Sequence, residues 1–350
     1  MKNDAGKIDV AVLGATGAVG QKFLQLLENH PMFNVAEICA SENSAGKTIG
    51  EATKWVVSSE IPQYLKNMKI KNVDSEIKSQ ICFSALPPEV AETVEVKLAK
   101  QGKIVISKAK TNRYEADVPI LIPEVNPESL DQLIPKQKAN RKLKGCIITD
   151  PNCTTTGLAL TLKPLVALGL KEVQMVSMQA ISGAGYPGVP SLLITENVIP
   201  FIGGEEEKVV KETKKILGLP NLEVFATCNR VQVIDGHTES VHVRFDRTVS
   251  VDEVKNAMRN FKGIPQKLKL PSAPDPVIIV RDEDDRPQPR LDRDNGKGMA
   301  VTVGRIRQGI DEKSIAYTLV SHNTVRGAAG ASILDAEYLV KTNKLAELLR

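Results

Sequence analysis

Cys153 stands in Asp150-Pro151-Asn152-Cys153-Thr154-Thr155-Thr156, the stretch whose residue types are best suited to covalent chemistry. The apolar run 145–148 ends just before it. A helix-compatible run through Leu158, Leu160, Leu162 and Leu165 starts just after it. A cysteine at such a strand-to-helix turn faces the positive end of a helix dipole, which favours the nucleophilic thiolate over the thiol. The hydroxyls of Thr154, Thr155 and Thr156 can satisfy orphan amides of the first helical turn. A single cysteine is more often a packed core residue, so the case for chemistry depends on what else the chain supplies.

One of four histidines, His237, follows the Asp235-Gly236 turn, a good place for a side chain aimed into a cleft. A ring with a pKa near neutrality can pass a proton to or from a cysteine adduct, and a hydrogen-bonded structural histidine is the plain alternative. His30 is expected as a surface residue closing the first helix, His242 on one face of a strand, and His322 as a contact near the site. Arg113 and Arg230 carry planar forks suited to carboxylate or phosphate, with surface ion pairs as the alternative. Glu205 and Lys208 are three residues apart and share a helix face; a solvated helix start fits them equally. The run Glu205, Glu206, Glu207 suits a helix N-terminus.

These side chains need elements to hold them. Ile8–Leu13 is an apolar run, Gly14-Ala15-Thr16-Gly17-Ala18-Val19-Gly20 a glycine-rich turn, and Phe23, Leu24 and Leu27 one helical face. A second apolar run at 35–40 completes a βαβ unit. Strands at Ile81–Ser84 and Ile104–Ser107 flank a helix at Pro88–Lys100, and this alternation predicts a doubly wound parallel sheet. After Cys153 the texture changes to longer strands at 173–181 and 231–245, with a helix at Glu205–Leu217 between them. Val241, Val243 and Phe245 alternate with polar neighbours, as in a sheet with one buried face. Residues 272–298 are rich in Pro, Asp and Arg and read as a long surface or interface connection with a short strand at 277–280. A last helix is expected at 324–339. The predicted fold is α/β: a Rossmann-type doubly wound parallel sheet at 1–152, completed by a C-terminal helix at 323–350, plus an α+β catalytic domain at 153–322.

Gly14-x-x-Gly17-x-x-Gly20, between strand and helix, lets backbone approach a pyrophosphate at a helix N-terminus; a purely structural turn is the alternative. At the end of the second strand, Ser41, Asn43, Ser44 and Lys47 surround Glu42. Hydroxyls and a lysine favour NADP, while Glu42 keeps NAD open.

The 350 residues suit two domains, and 42% hydrophobic with 25% charged residues is a globular balance. A net charge of +4 suits small anionic substrates, and the dispersed charge with 4% aromatic residues argues against nucleic acid. Five cysteines without CxxC pairs argue against a disulfide framework or a metal site and for a reducing compartment. No apolar run is long enough for a membrane span, and residues 1–7 lack a signal-peptide core, so a cytoplasmic location is expected.

Taken in order, the Gly14–Gly20 turn, Ser84-Ala85-Leu86-Pro87, Leu121-Ile122-Pro123-Glu124-Val125-Asn126-Pro127, Pro151 to Thr155, and the stretches 179–188, 228–237, 285–293 and 323–330 resemble aspartate-semialdehyde dehydrogenases, closest to their archaeal and fungal branch. The resemblance spans nearly the whole chain. It implies that Cys153 forms a thioester while aspartyl 4-phosphate is reduced to aspartate 4-semialdehyde, a step in lysine, methionine, threonine and isoleucine biosynthesis. It makes His237 the general acid/base, with Asn152 and Gln179 orienting the carbonyl and its oxyanion. Arg230 would clamp the substrate carboxylate, Glu205 its ammonium, and Arg113 and Lys208 the phosphate. Cofactor contacts would come from Gly14, Thr16, Gly17, Ala18, Val19, Ser41, Ser44, Ala85, Leu86, Pro87, Ser182, Gly183 and Asn323, the last at the nicotinamide amide. A homodimer or homotetramer is implied, with 153–322 as the dimerisation domain.

Two stretches depart from the family pattern. Lys108, Lys110 and Asn112 replace its usual residues before Arg113, which strengthens phosphate capture or signals another acyl donor. Gln232 replaces a proline, leaving the approach to His237 less rigid. Malonyl-CoA or succinyl-CoA reductase is the nearest rival, but a thioester substrate without an amino group has no use for Glu205. N-acetyl-γ-glutamyl-phosphate reductase shares the chemistry with different surrounding motifs. A non-catalytic NADP-binding module has no use for Cys153, His237 and two placed arginines.

Overall fold

Short runs of β-branched and aliphatic residues, buried on both faces, build the first sheet of the computed structural model, which describes residues 6–349. The first five residues of the polar N-terminal stretch lie outside the described residues, as does residue 350. The strands are β1 (Ile8–Leu13), β2 (Phe33–Ala40), β3 (Lys71–Asn72), β4 (Ile81–Ser84), β5 (Ile104–Ser107) and β6 (Cys146–Thr149). They lie in the order β3-β2-β1-β4-β5-β6, and every neighbouring pair is parallel. The chain winds outward from β1 to one edge, then returns to β4 and winds to the other, which puts a switch point beside the end of β1. This is the doubly wound sheet expected from the alternation.

The glycine turn follows β1. Gly14 has a φ of +75°, and its N–H donates to Cys39 O at 2.9 Å. A Cβ on Gly20 would collide with the Gly14 carbonyl, so glycine there lets the helix Ala18–Leu26 close onto the strand.

A second compact unit holds β7 (Leu170–Gln179), β8 (Glu223–Arg230), β9 (His237–Phe245), β10 (Ile278–Val280), β11 (Val301–Gln308) and β12 (Ser314–Ser321). Their order is β10-β11-β12-β9-β7-β8, with parallel and antiparallel pairs mixed, as an α+β domain requires. β7 alternates buried and exposed residues along most of its length. It packs against the helix Cys153–Val166, while the helix Glu205–Leu217 packs on its neighbour β8.

The units comprise 1–121, 127–150 and 332–350, and 122–126 with 151–331. Against the expected division, 122–126, 151–152 and 323–331 pack with the second unit. The expected strand 231–245 is broken: β8 ends at Arg230 and β9 starts at His237. The reason is direction. β8 runs parallel to β7 and β9 antiparallel, so the chain must reverse between them, and Gly236 at φ +99° takes the bend. The last helix begins later than expected, at Gly330, after a π-helical turn at Val325–Ala329. Within 272–298 the buried Asp292 carboxylate binds Arg286, so the connection is pinned rather than loose. His30 is not on the surface. Its Nε2 lies 2.8 Å from Glu337 of the C-terminal helix and its ring stacks on Phe33, because that late helix covers the end of the first one. Among the described residues no helix is long and apolar enough to cross a membrane.

Candidate active site

Asn152 starts the nucleophile helix. Its Oδ1 accepts the Thr155 N–H at 2.7 Å, so the cap is an asparagine rather than the threonine hydroxyls that follow. Thr156 Oγ1 instead donates back to Asn152 O at 2.8 Å, and Thr154 Oγ1 to Glu205 Oε1 at 3.3 Å. Asn152 N–H donates to Glu212 Oε2 at 2.7 Å. Asn152 Nδ2 is buried and meets no acceptor among the described residues, which leaves an amide donor next to the sulfur-bearing residue.

Cys153 differs from the other four cysteines by exposure. They are buried; it is partly exposed. Burial pushes the thiols of Cys39, Cys146 and Cys228 up to about 12, which makes them inert. Cys153 Sγ lies 3.0 Å from His237 Nε2. Behind it, a Cβ on Gly327 would come within 2.7 Å of Cys153 Cβ, so only glycine lets that turn back the nucleophile.

The ends of three adjacent strands hold the partners. Arg230 is in register with Gln179, and Met178 with Thr238, so β8, β7 and β9 bring Arg230, Gln179 and His237 together. His237 is fully buried, and Nδ1 accepts the Ala180 N–H at 3.0 Å. Burial, with the charges of Arg230 and His322 adding to it, drives the ring down to about 3. The Arg230 guanidinium donates from Nη1 to Ala180 O at 2.7 Å. Burial lowers its pKa, while Cys153 and Glu205 pull the other way. Gly183 fits where a Cβ would stand 2.7 Å from Arg230 Nη1 and 3.0 Å from His237 Cε1.

Glu205, buried at the start of its helix, receives Lys208 Nζ at 3.1 Å and Gln179 Nε2 at 3.3 Å. Asn323 is committed to the chain. Its Oδ1 accepts the Gly236 N–H at 2.8 Å and its Nδ2 donates to Ser182 Oγ at 2.7 Å, fixing the turn before His237. The second unit thus gathers Asn152, Cys153, Gln179, Ser182, Gly183, Glu205, Lys208, Arg230, His237 and Asn323. Sequence reasoning missed Glu212, although it lies seven residues after Glu205 on the same helix face. It also missed the Ala180 backbone, which carries no side-chain signal.

In the first unit, Arg113 is buried and donates from Nη2 to Lys108 O at 3.0 Å. Lys108 Nζ is 3.8 Å from Asp150 with its side chain 11% exposed, so this departure is tied inward; Lys110 is exposed. Asn112 donates to buried Glu95 at 3.1 Å. In the second unit, Gln232 is exposed and accepts the Glu196 N–H at 3.3 Å.

The glycine turn fits a dinucleotide. Gly17 is the helix N-cap and no side chain caps the first turn, so the amides beside Thr16, Ala18 and Val19 are left for a phosphate. Ser41 is exposed at the end of β2, ahead of the short helix Glu42–Ser44, and Lys47 Nζ is bound to Asn43 O at 2.9 Å. Ala85, Leu86 and Pro87 follow β4 at the switch point.

A partly exposed thiol at a helix N-terminus, an imidazole, an arginine, a buried carboxylate and amide donors form a set that could serve acyl transfer through sulfur. Two family models match the chain: "Semialdehyde dehydrogenase, NAD binding domain" over 9–133 and "Semialdehyde dehydrogenase, dimerisation domain" over 162–326. The aspartate-semialdehyde dehydrogenase of Archaeoglobus fulgidus is 54% identical over 344 residues, covering 96% of this chain and 98% of that one. A malonyl CoA reductase (NADP) of Metallosphaera sedula is 40% identical, covering 95% and 97%. The crystal structure of aspartate semialdehyde dehydrogenase with NADP from Candida albicans matches with a TM-score of 0.88 at 40% identity, covering 96% and 99%.

Proposed function

The chain belongs to the semialdehyde dehydrogenase family, on the branch of the archaeal and fungal aspartate-semialdehyde dehydrogenases, and we propose that it interconverts L-aspartyl 4-phosphate and L-aspartate 4-semialdehyde with NADP. It is an oxidoreductase by family. The 3.0 Å approach of Cys153 Sγ to His237 Nε2 at a helix N-terminus, beside Arg230, carries this reading.

Cys153 attacks the acyl carbon of aspartyl phosphate. A sulfur–carbon bond forms, the carbon–oxygen bond to phosphate breaks, and a thioester remains. When bound, NADPH would supply the hydride that reduces it. The resulting thiohemiacetal oxyanion expels the Cys153 thiolate and releases the aldehyde. His237 hydrogen-bonds the sulfur, and the Asn152 and Gln179 amides steady the oxyanion. Arg230 takes the substrate carboxylate. Glu205, which receives Lys208 Nζ and Gln179 Nε2, takes its ammonium. Lys208 takes phosphate. Asn323 serves the cofactor side by holding Ser182 and the turn at Gly236. The glycine turn, with Ser41 and Ser44, holds the dinucleotide. NADP is preferred over NAD because serines rather than a lone carboxylate ring the ribose position. The match to a dimerisation domain supports a homodimer or a dimer of dimers.

The M. sedula relative keeps acyl-CoA reduction as the competing reading. Glu205, an acid with an ammonium-sized role, favours the amino-acid substrate. The test compares aspartate semialdehyde plus phosphate with malonyl-CoA and succinyl-CoA, each with both nicotinamide cofactors. The expected result is turnover of the semialdehyde with NADP and loss of at least about 10³-fold in Cys153→Ala. Preference for a CoA ester overturns the substrate, and an active Cys153→Ala overturns the thioester.

A further inference from the structure

A histidine beside a cysteine can act in two ways. With a bare Nε2 it takes the thiol proton; with a protonated Nε2 it donates to a sulfur that is already ionised. The partner of the other ring nitrogen decides between them. In His237 that partner is the Ala180 N–H, 3.0 Å from Nδ1. A backbone amide only donates, so Nδ1 must present its lone pair, and the single proton of the neutral ring sits on Nε2, which faces Cys153 Sγ. We propose that His237 is a fixed hydrogen-bond donor to a resting Cys153 thiolate, and that Arg230 and the helix N-terminus, not the imidazole, keep that sulfur ionised. This rests on the catalytic reading of the pair and deepens it.

Three further observations point the same way. Imidazolium would need a proton on both nitrogens, which would set Nδ1–H against the Ala180 N–H. Among the described residues no carboxylate bonds the ring, so nothing built into the site compensates a second proton. The groups facing the ring are Cys153 from the nucleophile helix, Arg230 from the end of β8, and His322 after β12; Glu239 lies two residues along β9 on the same side. Two of these are cationic or can become so, and both oppose a further charge. Ala180 is well placed to hold this state. Its N–H fixes the ring and its C=O accepts Arg230 Nη1 at 2.7 Å, so one residue orients both the donor and the cation.

The electron flow closes without proton transfer to His237. The thiolate pair becomes the sulfur–carbon bond and the carbonyl π pair moves to oxygen. Collapse of that oxyanion restores the carbonyl and expels phosphate in one half-reaction and thiolate in the other. The proton consumed overall goes from solvent to phosphate.

The test needs no substrate, so it stands apart from the question of which acyl donor is used. Enzyme labelled with ¹⁵N-histidine is followed by NMR from pH 6 to 9, His237 being the ring whose signals move when iodoacetamide alkylates Cys153. The expected signature is a neutral ring protonated on Nε2 throughout. In parallel, the pH midpoint of Cys153 alkylation is measured in His237→Gln, which keeps a donor but is no base, and in Arg230→Met. The expected midpoint stays within about half a pH unit of wild type in His237→Gln and rises by about one unit or more in Arg230→Met. A ring protonated on Nδ1, or doubly protonated near neutrality, overturns the proposal. So does a midpoint that rises in His237→Gln as far as in Arg230→Met. If either variant fails to fold, the wild-type spectra decide.

Discussion

At the residue scale, burial sorts identical side chains into different chemistry. Four cysteines are buried and only Cys153 is partly exposed, at a helix N-terminus. The same rule governs Glu239, which is fully buried beside the site and has no hydrogen-bond partner for either oxygen among the described residues. Burial, then the charge of Glu205, hold its carboxyl well above the usual range. The folded chain therefore keeps a proton that the unfolded chain releases above about pH 4.5. Stability from this group is present below that pH and is lost as pH rises. His237 works in the opposite window. Its ring is at about 3 when folded, so the unfolded state takes up a proton first as pH falls through 6.5, and stability is lost from there down to about 3. Urea unfolding at pH 5, 6.5 and 8 should show Glu239→Gln gaining on wild type as pH rises. Parallel pH profiles for the two proteins would mean that Glu239 is ionised in the fold.

Elements determine whether those side chains meet, and here the sequence was legible where a pattern was local. The βαβ unit was readable because Gly14, Gly17 and Gly20 punctuate a buried strand and an amphipathic helix. The break at Arg230 was not, since Val231, Val233 and Ile234 continue the apolar texture, and apolar texture carries no strand direction. The helix Ser129–Arg141 was also missed: it is polar, with Pro135 inside it and little apolar periodicity. Asn152 was read as an oxyanion donor, and the structure adds that it is the helix cap. Two substitutions separate those jobs. Asn152→Ala should lose about 1 kcal/mol of stability through the cap and about 10²-fold in kcat through the lost amide. Asn152→Asp keeps an oxygen for the Thr155 N–H and should fold with near-normal stability, yet lose kcat as severely. Normal turnover by Asn152→Asp would remove the Nδ2 donor from the mechanism.

At the scale of the whole molecule, Cys153 with its neighbours and the glycine turn lie in separate compact units. Composition bounded this much, but ranking of the two nicotinamide cofactors was not legible, because Ser41, Glu42, Ser44 and Lys47 argue in different directions and the structure commits Lys47 to Asn43 O. The chain carries its own reporter. Its only tryptophan, Trp55, donates from Nε1 to Ser59 O and lies in the first unit. Gln21, on the helix after the glycine turn, bonds Thr16 O at 2.9 Å, Lys54 O at 3.0 Å and the Val56 N–H at 2.7 Å. Trp55 is thereby tied to the turn that would receive the pyrophosphate, and its fluorescence should follow loss of that site during unfolding. A ligand that binds only the folded state at about a hundred times its Kd adds about 2.7 kcal/mol. NADPH at that excess should move the Trp55 transition by this amount, while NADH at the same concentration should move it less, in Cys153→Ser as in wild type because no turnover is involved. Equal shifts from the two cofactors would show that Glu42 and the serines do not discriminate the 2′-phosphate.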